Sequence, residues 1–216
     1  MQDSSPTRRS FIQWTVSSFV LPPALANAKL ADGDLWAGLS VERRSGAMFG
    51  ALLPRAAKHV CTATGAGVLA AIYEVEAAEN SALDQKLRWL CIASEISPGK
   101  FSIQTTDKAL SGSDAFHPVE IELHVADNGR LEVSEQGLRS HTQHSWTNVG
   151  GKWCLAGRDF AGVVAHEMVT ERFDAQTQEV VTTRGKLEDD IEYFSQCSKA
   201  ETLVELGAYR NGESLA

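Results

Sequence analysis

Over much of residues 119–183, apolar and polar positions alternate with a period of two, the spacing of strands that bury one face. The clearest case is 119–125, where Val119, Ile121, Leu123 and Val125 alternate with Glu120, Glu122 and His124. Asp127-Asn128-Gly129 turns this strand back into Leu131-Glu132-Val133, which predicts a hairpin with one apolar and one wet face. Residues 145–159 repeat the logic around Gly150-Gly151, a pair free to take the positive φ of a tight turn, with Trp146 and Trp153 on its two arms. The area those indoles can bury places this hairpin at the centre of a sheet. Residues 163–173 read as one long alternating run, 174–178 as a turn, and 179–183 as a returning strand rich in Val and Thr.

Upstream the pattern is weaker. Residues 60–75 alternate loosely, are broken by Gly65 and Gly67, and end in a Val68–Val75 segment suited to a buried strand. Residues 87–92 have strand-like content, although 84–93 fits a helix equally well. Ser97-Pro98-Gly99-Lys100 is a turn signal that leads into an alternating 101–104, so a hairpin is expected there. Met48, Leu52 and Leu53 predict a short amphipathic helix over 45–53 that ends before Pro54. Intermittent helical spacing runs from 189 to 206, and the polar residues 207–216 are expected to form a flexible tail. The fold class that follows is α+β: a twisted antiparallel meander over about 87–183, with one or two helices and an N-terminal segment on a face. Residues 29–206 would form one domain.

The first 28 residues do not belong to that pattern. Thr7, Arg8, Arg9, Phe11 and Ile12 precede a mildly apolar run, and the segment closes on Ala26-Asn27-Ala28, an Ala-x-Ala cleavage site. This resembles the twin-arginine signal peptide of bacterial export, with Arg8, Arg9 and Phe11 for recognition and Ala26 and Ala28 at the cut. Gln13 stands where a lysine often follows, and Thr15, Ser17 and Ser18 dilute the apolar run in the manner of such leaders. Pro22 and Pro23 interrupt a run already shorter than the roughly 18 to 20 apolar residues of a membrane span, so no permanent span is expected. The resemblance implies the twin-arginine export machinery and a signal peptidase as partners, a periplasmic or secreted destination, and a cargo that folds before it crosses.

Composition narrows the function classes. Apolar residues at 43% and charged residues at 22% are globular values. The formal charge of −8 becomes −9 once the leader's net +1 is removed, and the basic residues are scattered, which argues against nucleic acid as a partner. Cys61, Cys91, Cys154 and Cys197 show no metal-finger spacing; in an exported protein they allow up to two disulfides in three pairings, or buried free thiols. A chain that folds in a reducing cytoplasm needs a core adequate without bridges.

Each candidate for chemistry meets a plainer reading. His166-Glu167-Met168-Val169-Thr170 begins like a zinc-protease helix, but Thr170 stands at the second ligand and the surrounding alternation is that of a strand. His141 and His144 would point to opposite faces of a strand and are expected at a surface or edge. Cys61 lies near His59, yet strand neighbours are expected to point apart. Glu74, Glu76 and Glu79 read as a solvated edge rather than a metal site, and Asp32-Gly33-Asp34 as a linker rather than a calcium loop, because the closing carboxylate is missing. Glu188, Asp189, Asp190 and Glu192 sit on one segment, where acids cannot set the spacing of a glycosidase pair and instead suit a helix N-terminus. No nucleophile elbow, phosphate loop or dinucleotide fingerprint occurs, and no cofactor is expected.

The order of segments also resembles a group of secreted bacterial β-rich proteins that share an aromatic Gly-Lys-Trp-x-Leu-x-Gly hairpin. The residues that carry the likeness are Leu87 to Leu90, Gly99-Lys100-Phe101, Gly129-x-Leu131, Trp146, Gly151-Lys152-Trp153-x-Leu155-x-Gly157-x-Asp159, and the arms at Val169-Thr170 and Val180 to Thr182. It spans about residues 85–185. The chain departs from the group at 167–173, where an Asn-x-x-Thr-Gly turn is usual, and lacks most of an Asp-Gly-Asp-rich opening strand. The resemblance implies an extracytoplasmic β-rich domain and brings no catalytic residue. The expectation is a non-enzymatic domain that binds a protein or envelope partner; the alternatives are an envelope hydrolase whose site only the fold assembles, or an inhibitor of an envelope-directed toxin.

Overall fold

The structure is a computed structural model that describes residues 39–76, 86–112, 118–186, 192–199 and 204–211. The leader with Arg8, Arg9, Phe11, Ala26 and Ala28, the Asp32 to Asp34 stretch, Glu79 and Glu188 to Asp190 lie outside the described residues. What is described is dominated by antiparallel sheet, with a single short α-helix. No helix among the described residues is long and apolar enough to cross a membrane.

Helix α1 (Val41–Phe49) starts where Ser40 accepts a hydrogen bond from the Arg43 amide and Glu42 stands in the first turn. It passes through a 3₁₀ turn (Gly50–Leu52) and stops before Pro54. The predicted helix over 45–53 is therefore present, shifted four residues toward the N-terminus.

Four strands, β1 (Lys58–Gly65), β2 (Val68–Glu76), β3 (Lys86–Ser97) and β4 (Lys100–Thr106), form one sheet in chain order. Strand β2 is buried on both faces. Val68, Ala70 and Ile72 face the second sheet, while Leu69, Ala71 and Tyr73 face Phe49 of α1, which explains why this segment reads as continuously apolar. Ser45 is buried in that helix layer because its hydroxyl donates to the Glu42 carbonyl at 2.8 Å and receives the Tyr73 hydroxyl at 3.1 Å.

The second sheet has seven strands, also in chain order: β5 (Glu120–Val125), β6 (Leu131–Gln136), β7 (Ser140–Val149), β8 (Lys152–Val164), β9 (Glu167–Asp174), β10 (Glu179–Lys186) and β11 (Glu192–Lys199). The tryptophan hairpin is the β7–β8 pair. Gly150 and Gly151 take φ of 60° and 88°, and Trp146 and Trp153 are 0% and 1% exposed.

Between the sheets the inward positions of β3, β6, β7 and β8 pass from apolar to polar along the layer. Val68, Ala70, Ile72, Leu90, Ile92, Leu131, Val133, Trp146, Trp153, Leu155, Phe173 and Val180 form the apolar part. Further along the same faces stand Arg88, Glu135, Thr142, His144 and Arg158, all buried. Three hydrogen bonds fasten the sheets together at the apolar end. The Trp153 indole Nε1 donates to Ser94 Oγ at 2.9 Å, and the Gln104 side chain donates to the Gly151 carbonyl at 3.1 Å while accepting from the Trp153 amide at 3.3 Å. At the other end Arg88 Nη2 donates to the Val119 carbonyl at 2.6 Å and Nε to Glu74 at 3.0 Å.

Four expectations are corrected. The meander is two sheets rather than one, and it begins at Lys58 instead of near residue 87. The run 163–173 contains a turn: Ala165 and His166 take φ of 49° and 70° and reverse the chain between β8 and β9 without any Gly, Asn or Asp to announce it. The helical spacing over 189–206 gives way to strand β11, which pairs with β10 along its length. Of the tail expected over 207–216, the described residues 207–211 instead join the core, where Tyr209 is buried, after Val204 and Leu206 hydrogen-bond to the free edge of β8 at Leu155 and Trp153.

Replacing Trp153 with Ala should lower stability by about 3–5 kcal/mol, the range for truncating a large buried aromatic, whereas Val149→Ala, half-exposed on the same hairpin, should change it by less than about 0.5 kcal/mol. Urea midpoints of the two variants check this, and equal midpoints would contradict the central place given to Trp153.

Candidate functional site

Two places gather chemically capable side chains, one buried between the sheets and one on the outer face of the seven-stranded sheet. The buried set is built from adjacent strands. Glu135 on β6 and His144 on β7 both face inward, and Tyr209 closes over them from the C-terminal segment. Glu135 accepts the Ser111 amide at 2.6 Å and the Asn211 side-chain amide at 2.9 Å. His144 Nε2 lies 2.7 Å from the Tyr209 hydroxyl, and its Nδ1 lies 3.8 Å from Glu135. Arg158 on β8 pairs with Glu171 on β9 at 3.1 Å.

Carboxylate, imidazole and hydroxyl in sequence is the order of a proton relay. The environment works against that use. Glu135, His144 and Tyr209 are 2%, 0% and 1% exposed. Burial, seconded by the Arg158 charge, pushes His144 down to about 3, so the ring is neutral. Burial also raises Glu135 above the ordinary carboxylate value, against the lowering pull of Ser111, Arg88 and Asn211, and raises Tyr209. The Glu135–His144 contact is therefore a meeting of groups driven toward their neutral forms, and at 3.8 Å it is longer than a hydrogen bond. None of the three lines the surface cavities described below.

On the outer face, strand β8 presents Gly157, Asp159 and Ala161. Two of these three are small, so the centre of the sheet is a trough between the side chains of β7 and β9. One lobe of about 620 Å³ is lined by Asn128, Arg130, Ser145, Thr147, Gly157 and Asp174 among others. A second lobe of about 400 Å³ is lined by His141, Ala161, Thr170, Val181 and Thr183. Asp159 and Arg172 border both, and Arg172 Nε donates to Asp159 at 2.8 Å in an exposed ion pair that raises the arginine's pKa through that hydrogen bond. Arg130 differs from Arg172. It leaves the β5–β6 turn just before Leu131, which pairs with Trp146, and crosses β7 so that its Nη2 sits 3.5 Å from where a Cβ on Gly157 would be. Its Nε is buried and has no hydrogen-bond partner. An unmet buried donor of this kind costs about 1–3 kcal/mol, more on a charged group.

The residues singled out by sequence fall as follows. His141 faces the outer trough and His144 the interior, on opposite faces as expected, but the expectation of a surface or edge histidine fails for His144, which is fully buried. Glu167 starts β9 and lies 3.6 Å from Arg184, so the His166 to Thr170 segment is turn and strand. His59 packs edge-on against Tyr73 and contacts Thr62, on the helix side of its sheet, while Cys61 packs against the inter-sheet core. They point apart because the register shifts between them; two residues apart on a regular strand they would share a face. Cys61, Cys91, Cys154 and Cys197 are free thiols, with Cys91 and Cys154 buried and Cys197 exposed, and burial pushes the thiols of Cys61 and Cys91 up to about 11 and about 12. Strand β2 separates Cys61 from Cys91, about 10 Å by strand spacing, beyond disulfide reach. Glu74 pairs with Arg88 and Lys86, and Glu76 with Lys58. No cluster that would hold a metal ion occurs among the described residues. The helix N-terminus expected at Glu192 is the start of strand β11.

Sequence reasoning missed Glu135, Tyr209, Arg158 and Arg130. Glu135 carried a signal, since it ends the inward-facing series of Leu131 and Val133, whereas Arg158, in the middle of β8, reaches the inner face only through the register shift opposite Ser145 and Trp146. No protein-family model matches the chain, and no curated protein is recognisably similar to it.

His144 makes stability depend on pH. Its folded pKa lies below the ordinary histidine value, so between about 6.5 and about 3 the unfolded chain binds the extra proton and stability falls as pH falls. Glu135 acts with the opposite sign, since a raised carboxyl stabilises at low pH and loses that contribution as pH rises through its folded value. The urea midpoint of the wild-type chain should therefore drop on acidification from pH 7 to pH 4 more steeply than that of His144→Gln; parallel slopes would contradict a neutral, buried imidazole.

Proposed function

We propose that this chain is exported by the twin-arginine route and acts in the periplasm or outside the cell as a non-enzymatic binding domain for an envelope component, in an α+β frame whose helix shields one sheet. The observation that carries the binding reading is the contrast between the two gatherings of polar groups. The converging titratable set is buried between the sheets, while the outer trough offers open, charged and small-residue surface on a seven-stranded face. Ligand sites favour concave surface with a few placed polar groups. Arg8, Arg9, Phe11 and the Ala26/Ala28 cut support export, as does a core that closes with its thiols free.

An envelope hydrolase would need converging acid and base groups at an accessible cavity; of the groups that line the second lobe, His141 faces an Asp159 already paired with Arg172, and the carboxylate, imidazole and hydroxyl trio of Glu135, His144 and Tyr209 lies buried elsewhere. The inhibitor reading rests on the acidic charge alone.

In cells that carry the full chain, the protein should fractionate outside the cytoplasm, and Arg8→Lys with Arg9→Lys should retain it inside; equal export of that double variant would refute the route. Purified full-length chain should sediment with isolated envelope fragments without degrading them, and Ala161→Trp, which fills the second lobe from the outer face, should weaken that association at least fivefold. Unchanged sedimentation would remove the trough from the binding surface, and release of soluble envelope fragments would establish the hydrolase.

A further inference from the structure

We infer that the larger lobe of the outer trough is a carboxylate-binding site, with Arg130 as the residue that grips the anion above Gly157 and the hydroxyls of Ser145 and Thr147 as further donors. This rests on the binding reading above and names the chemistry of its ligand.

Three observations carry it. First, the side chain of Arg130 has no hydrogen-bond or ion-pair partner among the described residues, and its Nε is buried, whereas Arg172, Arg158 and Arg88 are paired with Asp159, Glu171 and Glu74. A guanidinium held in place with its donors unmet is complementary to an oxyanion, which accepts from two of its N–H groups at once. Second, the register fixes where that guanidinium lies. Arg130 precedes Leu131, Leu131 pairs with Trp146, and the next outward position of β7, Ser145, pairs with Gly157, over which the Arg130 Nη2 rests. Ser145 and Thr147 are the outward positions on either side of Trp146 and line the same lobe. The arginine thus crosses the strand between two hydroxyl-bearing residues. Third, among the described residues that line the lobe, Arg130 is the one cation without an acidic partner. Asp159 is spent on Arg172, and Asp174 adds a negative charge on the far wall. A monoanion is balanced by Arg130 alone, while a phosphate dianion would be left half-compensated beside an aspartate in a chain of net charge −8. Carboxylate is the class that fits. The lobe is a shallow trough, so the carboxylate would terminate or branch from a larger ligand that continues past Asp159 toward Ala161 and Val181.

Gly157 has no positive φ, so a side chain there meets no backbone strain, and a Cβ would stand at 3.4 Å from the Phe173 carbonyl and 3.5 Å from Arg130. Gly157→Val should keep the strand and displace the guanidinium.

The test is a titration of the ¹⁵N-labelled full chain with sodium acetate, followed by amide and Arg Nε–H chemical shifts, with sodium chloride and sodium phosphate at matched ionic strength in parallel. Saturable shifts are expected at Ser145, Thr147, Gly157 and the Arg130 side chain, weakened at least tenfold in both Arg130→Gln and Gly157→Val while the rest of the spectrum stays in place. Shifts that chloride reproduces, acetate binding unchanged in Arg130→Gln, or phosphate bound in preference to acetate would overturn the assignment. Loss of acetate binding in a chain still found outside the cytoplasm and bound to envelope defeats this inference alone; cytoplasmic retention with acetate bound defeats the export reading alone.

Discussion

The fold depends on one side chain being solvated by protein at both ends. Trp153 brings the largest kind of apolar surface to the space between the sheets, and an indole buried there needs an acceptor for its N–H. Ser94, on β3 of the opposite sheet at the apolar end of the layer, supplies it, and Gln104 from edge strand β4 accepts from the Trp153 amide and donates to the Gly151 carbonyl. The same residue that fills the core therefore fixes how the four-stranded sheet is set on the seven-stranded one. Its partner Trp146 packs edge-on against Tyr209 at 5.2 Å, which draws the C-terminal segment into the layer and gives β8 a neighbour where β9 has ended.

With the apolar end clamped, the far end of the layer can hold charges. Arg88 reaches the Val119 carbonyl from one sheet, while Glu135, His144 and Arg158 stand in the other. Breaking such buried pairs is costly, because the group left behind has no water to turn to. The chain thereby commits its most reactive-looking residues to architecture. What remains for recognition is the outer face, where the alternation that puts Trp146 and His144 inside necessarily puts Ser145, Thr147 and His141 outside. Small residues at 157 and 161 then leave the trough that these side chains border.

Sequence disclosed the parts of this that are local. The Gly-Gly turn, the Asp127 to Gly129 turn and the clean alternation of 119–125 each carry their own signal, and each appears where that signal points. The division into two sheets did not show, because it is decided by which strands fail to pair after β4, and no residue pattern announces a missing ladder. The Ala165-His166 turn was silent for a different reason: positive φ was achieved by residues that do not advertise it. Strand β11 was obscured by apolar spacing that a helix would also show, and its pairing with β10 overrode that preference. Of the two polar sites, the buried one was hinted at by Glu135, which ends the inward-facing series of Leu131 and Val133, while Arg158 was hidden by a bulge that flips the alternation of β8. The outer one rests on Arg130 crossing a strand to a glycine 27 residues away, a relation only register reveals.

Hydrogen exchange of the Trp153 indole N–H, read alongside the amides of β2, β3, β6 and β7, tests the clamp most directly. If Trp153 locks the sheets into one cooperative body, its indole proton should exchange only with global unfolding, and the amides of both sheets should share that slowest class. An indole proton lost within minutes, or a four-stranded sheet that opens at lower free energy than the seven-stranded one, would show that the sheets are held by something else.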